Sequence, residues 1–169
     1  MGAVNMNIFK VNGLLSLKKL AAALALTLGA SVLGAVFSVN AGEIYACLNL
    51  PAYAPPTFLF EPVWIVLFIL MGLSFYRILL SDKCLPDIKR ARSLFFTQLV
   101  FNLLWSILFF GFSLRIAAFL DILILLFYII MTIIKFYKLD RPAAWLLLPY
   151  ALWVVYAAIL NLSIVLLND

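Results

Sequence analysis

The stretch IAAFLDILILLFYIIMTIIKF, Ile116 to Phe136, decides the fold. Asp121 and Lys135 are its only charged residues. It has no period-two alternation, so it does not read as a barrel strand, and it matches the ~20 apolar residues that a helix needs to cross a bilayer. Four other runs have the same character: Leu20–Val39, Phe58–Leu80, Leu94–Phe112 and Ala143–Leu167. The chain has 169 residues, of which 67% are hydrophobic. A soluble domain of this size has no interior able to hide so much apolar surface. The predicted fold class is therefore an all-α membrane protein, a five-transmembrane-helix bundle. Its connections are short, which makes successive helices antiparallel and leaves almost no length for a soluble domain.

The net charge of +5 does not point to nucleic acid, because the basic residues alternate from loop to loop. Lys10, Lys18 and Lys19 precede the first span. Arg77, Lys83, Lys89, Arg90 and Arg92 surround the second loop, and Lys135, Lys138 and Arg141 the fourth. On the opposite side Arg115 stands alone. The excess of Lys and Arg on cytoplasmic loops then predicts an N-terminus inside and a C-terminus outside. The expected partners are the lipid bilayer and small molecules, and a homodimer is left open. Cys47 and Cys84 fall on opposite sides in this topology, so they cannot pair with each other.

The N-terminal stretch KKLAAALALTLGASVLGAVFSVNAGE has two readings. Lysines, an apolar core and Val39-Asn40-Ala41 resemble a cleavable signal peptide. The core is longer than the roughly 7–15 residues usual there, which favours a retained span. Ala30/Gly34 and Thr27/Ser31/Ala35 repeat at four-residue spacing, a pattern that lets helix backbones approach closely in lipid.

The informative residues are those that do not belong in lipid. Gln98, Asn102 and Ser106 form a polar stripe on the third span, with Trp105 beside it. Such a stripe reads as an interhelical hydrogen-bond seam or as the polar anchor of a ligand pocket. Asp121 needs a partner, expected from another helix, or a proton. In the fifth span Pro149 predicts a kink. Pro149, Trp153, Ala157 and Leu160 share a face there, with Tyr156 beside it, which reads as core packing or as a slot for a flat molecule.

Between the first two spans lies NLPAYAPPTFLFEPVW, Asn49 to Trp64. Pro51 and Pro55–Pro56 hold it extended, and Pro62 is tolerated in the first turn of the next helix. Tyr45, Tyr53 and Trp64 suit interfacial depth. The segment reads as a rigid cap over one end of the bundle or as a plain re-entry turn.

YACLNLPAYAPPTFLFEPVW, NLLWSILFFG, AFLDILIL and AAWLLLPYALWVVYAAILN, in this order and spacing, resemble the TspO/MBR family of tryptophan-rich sensory proteins and translocator proteins. The resemblance runs from about Ile44 to Leu167 and implies one five-helix domain, 18–169, preceded by a lead, 1–17. It implies a bacterial cell membrane, or alternatively the mitochondrial outer membrane. It also implies a cavity under the first loop that takes protoporphyrin IX or haem as ligand, with no obligatory cofactor. Carried over by motif, the pocket residues are Tyr45, Pro55, Trp64, Asn102, Trp105, Trp153 and Ala157. The chain departs from the family pattern at Ile44, Leu50 and Tyr53. At Glu61 an acid replaces a small or apolar residue.

Three functions compete: a tetrapyrrole receptor or sensor, a light-dependent porphyrin-degrading enzyme, and a transporter. No Ser/His/Asp or Cys/His site and no metal-ligand spacing is present, and the sequence has no histidine. There is no internal repeat of the kind that builds inverted-repeat carriers. The receptor is the leading expectation.

Overall fold

The computed structural model describes residues 9–168 other than residue 12. Five of its helical segments are long and apolar enough to cross a membrane. The first is α1 (Leu17–Phe37), capped by the Ser16 hydroxyl, which accepts from the Lys19 N–H. A short α2 (Ala41–Ala46) follows, and a 3-10 turn (Thr57–Leu59) leads into α3 (Phe60–Leu80). Pro62 lies in the first turn of α3, where its missing N–H costs nothing.

α4 (Leu85–Ser106) ends in a π turn, Ile107–Gly111. It starts well before the apolar run at Leu94. Pro86 and Asp87 in its first turn favour helix there, and Asp87 pairs with Lys135 across the helix interface. Hydropathy reports only the part of a helix in hydrocarbon, so the polar extension had no apolar signal. Ser113, with φ 54°, turns the chain into α5 (Arg115–Leu139). The last span breaks at Leu147 into α6 (Arg141–Leu146) and α7 (Leu148–Asn168), which places the predicted kink beside Pro149.

Leu120, Leu123, Ile124, Phe127, Ile130 and Ile134 of α5 are exposed at spacings of three and four. In a bilayer such a stripe faces acyl chains, so the protein is an integral multi-pass membrane protein.

One end of the bundle, where the Lys and Arg residues gather, is tightly cross-linked. Phe75 stacks on Phe95 at 4.4 Å, and Phe95 stacks on Phe136 at 6.0 Å. The Ser74 hydroxyl donates to the Ala143 carbonyl at 2.7 Å. The Arg77 guanidinium forks onto Asp140, at 2.9 Å from Nε and 3.2 Å from Nη2, and only 6% of Arg77 is exposed. Residues 9–11 and 13–16, placed by the sequence in the lead, lie against this end: the Tyr76 phenol donates to the Phe9 carbonyl at 2.9 Å and accepts from the Ser16 N–H at 3.3 Å.

The expected close approach of α1 occurs at Gly72 of α3. A Cβ there would lie 2.7 Å from Thr27 Oγ1 and 3.3 Å from Leu24 Cα. The small residues of α1 thus meet a glycine on the partner helix. Cys47 and Cys84 are free, exposed and at opposite ends of the bundle.

Candidate functional site

At the other end α1, α3 and α4 enclose a cavity of about 510 Å³, within the range of small-molecule sites. The residues on this side are mostly small: Ser31, Gly34 and Ala35 on α1 and Ser38 at its C-cap, beside Val32 and Val39, then Ala41 and Gly42 on α2. Large rings form the other walls. Phe60, Trp64 and Phe68 come from one face of α3, and Tyr45 comes from α2. Trp105 and Phe110 come from α4 and its π turn. The π turn inserts an extra residue per turn, so Phe110 joins Trp105 on the cavity wall, its ring 5.8 Å from the indole.

A shallower apolar hollow continues toward α7. Tyr45, Phe60, Trp105 and Phe110 border both spaces, and Ala157, Leu160 and Asn161 close the second. Tyr45 is 6% exposed and meets the Phe60 ring edge-on at 5.5 Å. Its hydroxyl is buried with no hydrogen-bond partner among the described residues. Burial, together with the Tyr156 phenol, pushes its pKa up to about 12, so it is a neutral donor at physiological pH.

The polar stripe of α4 divides. Asn102 and Ser106 reach the cavity, and Asn102 Nδ2 donates to the Tyr150 hydroxyl at 3.1 Å. Gln98 lies deeper, 1% exposed, with both amide atoms unpartnered among the described residues. The stripe is therefore partly a seam between helices and partly a pocket wall. With its carboxamide oriented to match its neighbours, Asn161 accepts from Trp105 Nε1 at 3.1 Å and donates to the Arg115 carbonyl. This bond fixes the indole that walls both spaces.

Asp121 corrects an expectation. No partner comes from another helix: both carboxylate oxygens are buried without a hydrogen bond among the described residues. The fold packs α5 against α4 and α7, yet no side chain of either donates to the carboxylate among the described residues.

Of the residues carried over by motif, Tyr45, Trp64, Asn102 and Trp105 meet at the main cavity, and Ala157 borders its extension. Pro55 and Trp153 line neither. Trp153 stands behind the wall, edge-on to Phe60 at 6.2 Å and tilted on Tyr156 at 5.4 Å. Phe60, Phe68, Phe110 and the small residues of α1 were missed as site residues. Phenylalanine in a membrane helix carries no signal that separates a pocket wall from a lipid-facing surface. The small-residue spacing on α1 was visible but read as a packing seam.

The proline-rich segment is held at this end by the last helix. Asn168 Oδ1 accepts from the Asn49 N–H at 2.8 Å, and its Nδ2 donates to the Asn49 carbonyl at 3.0 Å. Tyr156 donates to the Tyr53 carbonyl at 3.0 Å, and the Tyr53 hydroxyl bonds Ser163.

Five apolar spans, an aromatic cavity at one end and a proline-rich connection beside it define a polytopic helical membrane protein with a ligand-sized site. The sequence matches the TspO/MBR family over residues 21–167. It is 37% identical over 150 residues to the tryptophan-rich protein TspO of Chlorobaculum tepidum, covering 88% of this chain and 95% of that protein. It is 36% identical over 155 residues to its namesake in Archaeoglobus fulgidus, covering 91% and 99%. It is also 33% identical to the translocator protein of Ovis aries, covering 69% and 70%. The chain belongs to the TspO/MBR family.

Proposed function

We propose that the cavity is a receptor site for a flat tetrapyrrole, protoporphyrin IX or haem, and that the chain acts as a membrane sensor of such pigments. The observation that supports this reading is the ring-lined cavity of about 510 Å³ with the Asn102 carboxamide on its wall. A macrocycle there stacks on Trp64 and Trp105, offset or edge-to-face, while the amide and the unpaired Tyr45 hydroxyl supply hydrogen bonds. The name of a Cereibacter sphaeroides relative, tryptophan-rich sensory protein, agrees with a sensing role. With no histidine in the sequence, recognition rests on stacking and shape rather than on an iron ligand. The deciding experiment is a protoporphyrin IX titration of detergent-purified protein, followed by tryptophan quenching. Saturable quenching supports the site, and strictly linear quenching with no plateau sinks it.

The reading extends to a bacterial cell membrane with the Lys- and Arg-rich end inside, on the strength of the eleven-to-one charge split. Reporter fusions after Asn40 should read outside and fusions after Asp82 inside. Opposite readings at both sites reject this orientation.

A further inference from the structure

The rim of the cavity carries an acidic side chain. Glu61, in the first turn of α3, lines the cavity one turn above Trp64 and Ile65. It is exposed and makes no hydrogen bond or ion pair among the described residues. Glu43, in the first turn of α2, follows directly on the lining residues Ala41 and Gly42, and it is exposed too. No lysine or arginine lines the cavity among the described residues.

A ligand in this space therefore meets aromatic faces on three sides and a carboxylate at the mouth. That pairing holds organic cations, through the negative faces of the rings and through direct ion pairing. It disfavours a ligand whose own carboxylates end near the mouth, because like charges across an interface are costly to juxtapose. We propose that Glu61 sets the charge preference of the site: flat aromatic ligands with a cationic outward end bind best, those with an uncharged end next, and those with free carboxylates least. This rests on the tetrapyrrole reading above and adds to it a ranking of peripheral groups: protoporphyrin IX and haem, with their free carboxylates, occupy the site but more weakly than their ester or amine-bearing derivatives. Specificity then comes partly from repulsion of the wrong ligand.

The test uses one macrocycle with three peripheries: protoporphyrin IX as the dicarboxylate, as its dimethyl ester, and as the bis-amide with ethylenediamine, which is dicationic. Dissociation constants come from tryptophan quenching of the full chain in uncharged detergent at neutral pH. The measured quantity is the ratio of the dicarboxylate constant to the diamine constant, compared between wild type and Glu61→Gln. Partition of each pigment into detergent is common to both proteins and cancels. The ratio should fall about tenfold in Glu61→Gln, equivalent to about 1.4 kcal/mol. In Glu61→Lys, which keeps the proposal testable if the first variant folds poorly, the order of preference should reverse. Binding of all three pigments with the same ratio in wild type and both variants would overturn the charge preference and leave the tetrapyrrole site standing. Saturable quenching by none of the three would overturn both.

Discussion

The two ends of the bundle are built from similar residues to opposite effect. At the Lys- and Arg-rich end, large rings interleave: Phe75, Phe95 and Phe136 stack face to face, and the Arg77–Asp140 fork ties α3 to the start of α6. At the other end rings of the same size line a hollow, because the opposite wall is made mostly of small residues, Ser31, Gly34, Ala35 and Ser38, beside Val32 and Val39. Close packing at one end holds helices in place whose other ends enclose space. A cavity left in a protein costs the contacts its lining forgoes, so rigidity has to come from elsewhere in the bundle.

The sharpest way to break this comparison is to cut the fastened end. Arg77→Leu leaves Asp140 as a buried carboxylate without its fork, which costs about 3–5 kcal/mol. The change should appear as a large drop in thermal midpoint in detergent, and Arg77→Leu/Asp140→Leu should recover part of it. A wild-type midpoint for Arg77→Leu would mean that this end does not carry the stability. Next in size is Gly72→Ala. Its Cβ would press on Thr27 and on the α1 backbone at Leu24, an overpacking worth up to about 3 kcal/mol. Because α1 walls the cavity, this variant should lose pigment affinity as well as stability, and Thr27→Ala in the same chain should restore some of both.

At the open end the effects should be on binding instead. Trp64→Ala should weaken protoporphyrin IX by about 1–2 kcal/mol with a small change in midpoint. Trp153→Ala, acting only through Phe60, should cost less. Equal losses for the two would place the ligand nearer α7 than the main cavity. The smallest expected difference concerns iron: haem and metal-free protoporphyrin IX should bind within about tenfold of each other, or about 1.4 kcal/mol. A haem preference of several orders of magnitude, lost on Tyr45→Phe, would show that the metal is ligated.

Legibility in the sequence followed the same division. Spans, their number and the kink at Pro149 were readable because hydrocarbon accepts only continuous apolar helices and proline removes a specific hydrogen bond. Tyr45, Trp64, Asn102 and Trp105 were readable as a group, since their motifs mark them and polar or amphipathic groups are conspicuous in lipid. Glu61 stood out as an acid in an aromatic run, yet nothing in one dimension told that it borders a cavity. Trp153 showed the converse: its face on α7 was predicted correctly as aromatic, but Phe60 from a helix far away in sequence took the place in front of it.

Asp121 and Gln98 mark the limit. Their burial was expected from their place in apolar runs, but whether a partner stands opposite depends on which helices meet and at what height. Composition and periodicity alone determined that this chain is a five-span helical bundle, and local motifs placed it in its family, because bilayer length and backbone satisfaction act on each segment separately. The tertiary structure alone decided which rings pack and which enclose space. That outcome depends on the residue facing each ring across the bundle, a glycine or serine at the open end and another ring at the closed one, and no segment carries that information by itself.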